Sequence, residues 1–399
     1  MGDESPILDG IKVVDLSTFV TGGFCSMMLA NQGADVVKIE RPNVGDDIRH
    51  SGPPFIDGES PYYWTVNYDK RSVELDLKSE RGLASFYDLV EVADVVIQNF
   101  RPGTAERLGV GYDDLAARSD GLVYCDISAF GATGPWSERP GYDLLVQGMS
   151  GIMSVTGEEG RDPVKVGLPQ TDLITAMWAV FGIVCALYRR ERTEEGEYIE
   201  LGMLDATLPW LTKQAGKVFA GEEPTCMGTK DPVLAPYQTF ETADGHLNVA
   251  CLNAKLWRGF CEAIERPDLP EDPRFETNAD RVEHMDELEA ELASTLGERT
   301  TEEWMDVLVD AGIPAGPVQT VEEALSNEQT DARGMVTRID DGDREIPVIE
   351  HPLNFEHADS GFDSPPPALG EHTDEVFAEI GYSRDRLERL REEGVFGDD

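Results

Sequence analysis

"IKVVDLSTFVTGGFCSMMLANQGADVVKIE" runs from Ile11 to Glu40. Its first six residues, Ile11–Leu16, form a short apolar run of the buried-strand type. Gly22–Gly33 has helical character and closes on a glycine, and Ala34–Glu40 is a second apolar run. Strand, helix and strand within about thirty residues read as one βαβ unit. The pattern recurs downstream. Ser72–Leu77, Asp94–Phe100 and Gly121–Phe130 read as strands, with a helical "SERGLASFYDLVEVA" between the first two. Buried strands alternating with helices predict a doubly wound parallel sheet.

The chain has 399 residues, too many for one simple core. The character changes after a long apolar helix near Leu173–Tyr188. Glu197–Gly216 reads as a strand and a helix, and Pro236–Cys251 as a hairpin turning at Ala-Asp-Gly. Helical segments follow near Ala254–Ile264, Arg281–Leu296 and Thr301–Ala311, and Gly312–Val318 reads as a Pro/Gly-rich connection. The expected organisation is a large domain from residues 1–219, a smaller α+β domain from 220–320, and a return segment from 321–399.

Composition narrows the function. Acidic residues number 78 and basic residues 33, a formal net charge of −45, and only nine of the basic residues are lysine. The acid is interleaved with apolar positions along the chain. Such a surface suits very high salt, which screens self-repulsion, so a halophilic host is expected. No basic patch offsets the field, which argues against nucleic acid as a partner. The six cysteines form no CxxC pair and read as core residues, and the six histidines show no HxH or HxxxH spacing, so no metal site is expected. Residues 1–10 lack the features of a signal peptide, and the sixteen-residue apolar block falls short of a membrane span of about 18 residues. A cytoplasmic protein without membrane contact is the expectation.

Motif chemistry is sparse. GxGxxG, GxxxxGK[ST] and GxSxG are all absent. Glu40, at a strand end, sits where a ribose-binding acid would be expected in a dinucleotide site. Basic residues are scarce, so their placement carries information. Arg41, Arg49, Lys70, Arg71, Lys78, Arg101, Arg107 and Arg139 fall in the first 140 residues, mostly just after expected strand ends. Ligands bind at the carboxyl ends of strands in such sheets, and this set suits a ligand carrying phosphates. In "GLPQTDLITAMWAV", Asp172 stands before the apolar helix. It reads either as a helix N-cap or as a carboxylate held ionised at a positive helix terminus, able to attack a carbonyl.

The blocks "LDGIKVVDLS", "GADVVKIERPNVGDDIR", "NYDKRSVELDLKSERG", "VIQNFRPGTAERLGVGYDDL", "ISAFGATGPWSERPGYDLLVQGMSG" and "VGLPQTDLITAMWAVFGIVCAL" resemble, in order, the class III CoA-transferases, the formyl-CoA and carnitine CoA-transferase (CaiB/BaiF) family. The likeness continues through "PYQTFETADG", "DPRFETNADRVEH", "GIPAGPV" and "LGEHTDEV", essentially the whole chain. The resemblance implies a Rossmann-like large domain built from both chain ends, a smaller α+β domain, and two chains interlocked as a homodimer. It puts the family's catalytic aspartate on Asp172. Its CoA-binding positions fall on Arg41, Leu75 to Lys78, Asn99, Phe100, Arg107 and Tyr142, with Arg139 close by. Coenzyme A thioesters are then substrates, and no permanent cofactor is implied.

In the implied reaction the aspartate attacks the donor thioester and forms a mixed anhydride. CoA thiolate then gives an aspartyl-CoA thioester, and an acceptor acid collects the CoA. Two departures stand out. Val20 occupies the position of a formyl-CoA transferase glutamine, which points away from oxalate or formate, and the family's glycine-rich closing loop is not visible. A small dicarboxylate such as mesaconate, with succinyl-CoA as donor, is the favoured acid pair. Val20, Arg49, His50 and Tyr62 are the candidate acid-contacting residues. The racemases of the same fold carry a histidine where this chain has Tyr142, and tyrosine is a poor base for α-proton exchange. A non-catalytic CoA-binding module is the third reading.

Overall fold

The computed structural model describes residues 5–342 and 344–397. Six parallel strands form the main sheet: β1 (Lys12–Asp15), β2 (Asp35–Glu40), β3 (Lys70–Glu74), β4 (Val95–Gln98), β5 (Val123–Ser128) and β6 (Glu197–Gly202). The principal helices among them are α1 (Phe19–Asn31), α2 (Glu80–Val90), α3 (Asp143–Met149) and α4 (Gln170–Thr193). The spatial order is β3-β2-β1-β4-β5-β6. This is the Rossmann order, and its direction reverses between β1 and β4. Val13 pairs with Val36 on one side and Val95 on the other, so β1 is hydrogen-bonded along both edges.

The chain divides into two compact units. One comprises Met1–Ile152, Lys165–Lys213 and Gln329–Asp399; the other comprises Met153–Val164 and Gln214–Glu328. The second unit holds an antiparallel sheet of β7 (Tyr237–Glu241), β8 (His246–Ala250) and β9 (Ala315–Pro317). Its principal helices are α5 (Ala254–Ala263), α6 (Asn278–Glu283), α7 (Met285–Leu296) and α8 (Thr301–Asp310). Trp257, Phe260, Leu292, Leu296 and Trp304 fill its core. The last part of the first unit adds the hairpin β10 (Val336–Asp340) and β11 (Glu345–Ile349), then α9 (Thr373–Glu379) and α10 (Arg384–Glu392).

Alternating side chains build two cores, one on each face of the main sheet. Val14, Val37, Val73 and Val96 face Phe86 and Leu89 of α2, together with Phe377, Leu387 and Leu390 of α9 and α10. Val13, Val36, Val95, Val123 and Cys125 face Cys25 and Leu29 of α1, and Ala176, Ala179 and Ile183 of α4. Runs buried on both faces are why these strands read as continuous apolar stretches.

Three elements differ from the sequence expectation. Strand β3 starts at Lys70, not Ser72, because Lys70 is buried, with its ammonium 3.2 Å from Asp15 and 2.8 Å from Asn67 Oδ1. A lysine paired in this way hid the strand's start. The stretch Gly312–Val318, expected as a connection, contributes β9 at the edge of the small sheet, where proline is tolerated. Helix α4 begins at Gln170 and extends to Thr193, longer than its apolar block. It is long and apolar enough to cross a bilayer, yet one face, including the fully buried Ala176, Ala179 and Ile183, packs on the sheet.

Candidate functional site

The carboxyl ends of β1 to β4 surround a cavity of about 240 Å³. Leu16, Ser17 and Thr18 follow β1; Ile39, Glu40 and Arg41 lie at the end of β2; Leu75 to Lys78 follow β3; Phe100 follows β4. The cavity therefore lies across the switch point, where open α/β sheets bind ligands. Six of the expected CoA-binding residues, Arg41, Leu75 to Lys78 and Phe100, line it together. Lys78 and Arg41 are both exposed. Arg41 bonds Gly45 O at 2.9 Å and Asp47 at 2.5 Å.

A buried charge network underlies this cavity. Lys38 Nζ contacts Ser17 O at 2.8 Å and Asp46 at 2.9 Å, and lies 4.0 Å from Asp15. Asp15 also takes hydrogen bonds from Ser17 Oγ at 2.5 Å and Ser26 Oγ at 2.6 Å, and pairs with Lys70. Burial pushes its carboxyl up, but Lys38, Lys70 and the two hydroxyls more than offset this and hold it below its ordinary value.

Other expected ligand residues have different work. Asn99 Nδ2 donates to Thr18 O and its Oδ1 accepts from Thr18 N, both at 2.8 Å. This reciprocal pair fastens the turn after β1 to the turn after β4; Asn99 thus shapes the cavity wall rather than lining it. Arg107, on the short helix Thr104–Leu108, turns back to Gly103 O and Thr104 Oγ1, and its neighbour Leu108 is the residue that reaches the cavity. Arg139 is exposed, its guanidinium 5.2 Å from the Trp136 ring centre. Tyr142 is exposed and meets Phe19 edge-on at 6.5 Å.

Among the acid-contacting candidates, two are corrected outright. The guanidinium of Arg49 is committed internally: it bonds both oxygens of Glu40 at 2.8 and 2.7 Å, Tyr63 Oη at 2.5 Å and Pro367 O at 3.1 Å. Its Nε–Nη2 edge, the fork a distal carboxylate would use, is thus taken by Glu40. The same pairing removes Glu40 as a ribose ligand, since Ser72 Oγ and Asp46 N also donate to it. Val20 is buried in an apolar cluster with Met27, Ile48, Tyr63 and Trp64, which leaves its side chain no route to a substrate. His50 is exposed, with Nε2 2.9 Å from Val44 O. Tyr62 remains exposed; burial raises its phenol, and the charges of Asp172 and Asp143 add to that.

Helix α4 explains the position of Asp172. Its N-cap is Pro169, so Asp172 is the third helical residue and not the cap. The capping work falls to Asp143, the first residue of α3. Its Oδ1 accepts from Thr171 N at 2.9 Å and from Thr171 Oγ1 at 2.8 Å, satisfying a free N–H of the α4 start. Gln147, fully buried one turn later on α3, braces the preceding loop by accepting from Val166 N at 2.8 Å and donating to Leu168 O at 3.2 Å. Asp172 is thus relieved of a capping role. Its Oδ1 accepts from Thr21 Oγ1 at 2.5 Å.

The electrostatics differ from the sequence expectation. A helix terminus was expected to keep Asp172 readily ionised. Instead burial pushes its carboxyl up to about 6, with the Asp143 charge adding and the Thr21 hydrogen bond pulling it partly back. Among the described residues no lysine or arginine pairs with it. A carboxylate that is ionised at neutral pH, poorly solvated and free of a cation is a competent nucleophile toward a thioester. Thr18, on the cavity wall, lies one helical turn, about 5 Å, before Thr21. Thr21 and Asp143 were invisible in the sequence because threonine inside a helix and aspartate at a helix start are ordinary residues there.

Comparison with known proteins identifies the family. The model of CoA-transferase family III matches residues 8–373. The chain is 34% identical over 396 residues to the succinyl-CoA:glutarate CoA-transferase of Mus musculus, covering 98% of this chain and 91% of that one. It is 36% identical over 386 residues to the succinyl-CoA:mesaconate CoA-transferase of Haloarcula hispanica, covering 94% and 96%. The crystal structure of a CaiB/BaiF family protein from Brucella suis superposes with a TM-score of 0.86 at 37% identity, covering 94% of this chain and all of that one. The family model matched over residues 8–373 and likeness along nearly the full length to curated CoA-transferases, on a parallel α/β sheet with a cavity at its switch point, place this chain in CoA-transferase family III.

Proposed function

We propose that this chain moves CoA from succinyl-CoA to a small dicarboxylate through a covalent intermediate on Asp172. The observation that carries this reading is the placement of Asp172, partly buried, without a cation among the described residues, and relieved of capping by Asp143. In the proposed reaction, one carboxylate oxygen of Asp172 attacks the donor thioester carbonyl. The C–S bond breaks and CoA leaves as thiolate. The thiolate then attacks Cγ of Asp172, the bond to the succinyl oxygen breaks, and succinate departs. An acceptor carboxylate repeats the exchange in reverse. Activation is kept as a thioester or an anhydride at every stage, so neither ATP nor water takes part.

Arg41 and Lys78 at the cavity rim are suited to the phosphates of CoA, and the apolar Leu75 and Phe100 to its adenine. The donor and the acid class are drawn from the two curated relatives, whose names give succinyl-CoA with glutarate and with mesaconate. Mesaconate is our first choice, because the strongly acidic composition matches a halophilic host. The decisive assay offers succinyl-CoA with mesaconate, glutarate, citramalate and oxalate in turn, in molar salt, and follows products by mass spectrometry. Exchange with none of them, or acyl-CoA binding without exchange, would remove the transferase reading. Deuterium uptake at an α-carbon without any acceptor would mark a racemase instead.

The homodimer and the cytoplasmic setting are proposed with it. Met177, Phe181, Val184 and Tyr188 form an exposed apolar row on α4, at 50, 61, 41 and 65% exposure. That row exceeds the scatter of single exposed apolar residues normal on a monomer, and a second copy of the chain is the occupant that the family resemblance implies. Sedimentation of a folded, active monomer would reject this part.

A further inference from the structure

Threonine hydroxyls inside helices ordinarily bond back to the carbonyl four residues earlier. Thr175 and Thr207 do so here, to Thr171 O at 2.6 Å and Met203 O at 2.7 Å. Thr21, in the first turn of α1, does not. The carbonyl it would use, Ser17 O, is already taken by Lys38 Nζ at 2.8 Å. The Thr21 hydroxyl is turned instead to Asp172 Oδ1 at 2.5 Å. Thr21 is 5% exposed and Asp172 is partly buried.

The turn carrying Thr21 is rigid. Phe19 opens α1 with φ of 59°, a strained value for a side chain of that size, and its N–H is held by Asp46 Oδ1 at 3.1 Å. Asp46 is itself fixed by Lys38 and by Ile48 N at 3.1 Å. Gly22 lets α1 close onto the end of β1, since a Cβ there would stand 2.2 Å from Ser17 Cβ. The hydroxyl is therefore held in place before any substrate arrives, as an effective transition-state donor must be.

We propose that Thr21 is a catalytic residue whose hydroxyl stays on Oδ1 of Asp172 through the whole exchange. On the free enzyme it occupies Oδ1 and leaves Oδ2 to attack the donor thioester. Once the anhydride has formed through Oδ2, Oδ1 is the acyl oxygen of the aspartyl group. When CoA thiolate adds to Cγ, the C–O π pair moves onto Oδ1; when the tetrahedral adduct collapses, the C–O bond to succinate breaks and that pair returns. The Thr21 proton is shared with the oxyanion between those two events and is not transferred. The same donor serves when the acceptor acid attacks the aspartyl thioester. This inference rests on Asp172 as the nucleophile.

The test compares Thr21→Val, which keeps the shape and removes the hydroxyl, with Thr21→Ser, which restores it, and with Asp172→Ala. For Thr21→Val the expected result is a kcat lowered on the order of 100-fold with CoA affinity unchanged. The acid limb of its pH profile should move to higher pH, because the lost hydrogen bond favoured the charged form. Thr21→Ser should return most of the rate and the limb. Should the valine variant not fold, Thr21→Ala against Thr21→Ser gives the same comparison. Wild-type kcat and pH profile in a hydroxyl-free variant, or a serine variant as slow as the valine one, overturns the inference. If Asp172→Ala is inactive while Thr21→Val is unaffected, only the role of Thr21 fails; if Asp172→Ala still exchanges CoA, the nucleophile reading fails and takes this inference with it.

Discussion

Two aspartates accept hydrogen bonds from α1, Asp15 from Ser26 and Asp172 from Thr21, and their surroundings are opposites. Asp15, at the end of β1, is fully enclosed and met by Lys38, Lys70 and two serine hydroxyls, so its carboxyl is held below its usual value. Asp172, reached through Thr21 one helical turn into α1, has one hydroxyl and a second carboxylate nearby, and its carboxyl is pushed up to about 6. Paired charge makes a fixed structural post. Unpaired charge makes a reagent that the fold holds at some cost. Five experiments break or sharpen that contrast.

The largest effect is expected on catalysis. Asp172→Ala should lower exchange by at least about a thousandfold, the scale on which loss of a nucleophile is felt, with CoA binding retained. Steady-state exchange rates beside equilibrium CoA binding check both halves. Next comes stability of the opposite post. Asp15→Asn leaves Lys38 and Lys70 without their common partner and should destabilise the fold by about 3 to 5 kcal/mol in denaturant unfolding at pH 7.

The same measurement on Asp172→Asn should move the other way. A carboxyl whose folded-state value is raised binds its proton more tightly when folded, so its contribution to stability falls as pH rises from its unfolded value toward about 6. Removing the charge should therefore stabilise the protein at pH 7, by up to about 3 kcal/mol, and the gain should vanish near pH 4. Asp15 has the reverse sign: its stabilisation is present above its unfolded value and lost as pH falls through the lower folded one. Exchange in the wild type should likewise fall tenfold per pH unit below about 6, as Asp172 becomes protonated. The smallest effect belongs to the cavity rim. Lys78→Ala removes one exposed cation and should weaken CoA binding up to about fivefold, less at high salt.

The sheet was legible because its strands are apolar on both faces and its turns fall at regular intervals, as in Ile11–Glu40. What escaped sequence reading was polar and buried. Lys70 looked like a loop residue and is the first residue of β3; Arg49 looked like a ligand and is locked to Glu40. Both errors share a cause: a charged side chain's partner lies far along the chain, and the residue type alone does not say whether that partner is protein or substrate. Arg41 and Lys78 were legible as cavity residues because they follow strand ends. Asp172 could be singled out as a candidate, but the choice between cap and reagent needed Asp143, 29 positions upstream, which does the capping.

The central claim is that Asp172 carries the acyl group and then CoA. Incubation with succinyl-CoA and no acceptor, followed by hydroxylamine, digestion and peptide mass spectrometry, tests it most directly. The account predicts a hydroxamate on Asp172 in the peptide spanning residues 166–189, dependent on the donor and absent from Asp172→Ala. An unmodified Asp172 in enzyme that is turning over, or a hydroxamate on another carboxylate, would contradict it.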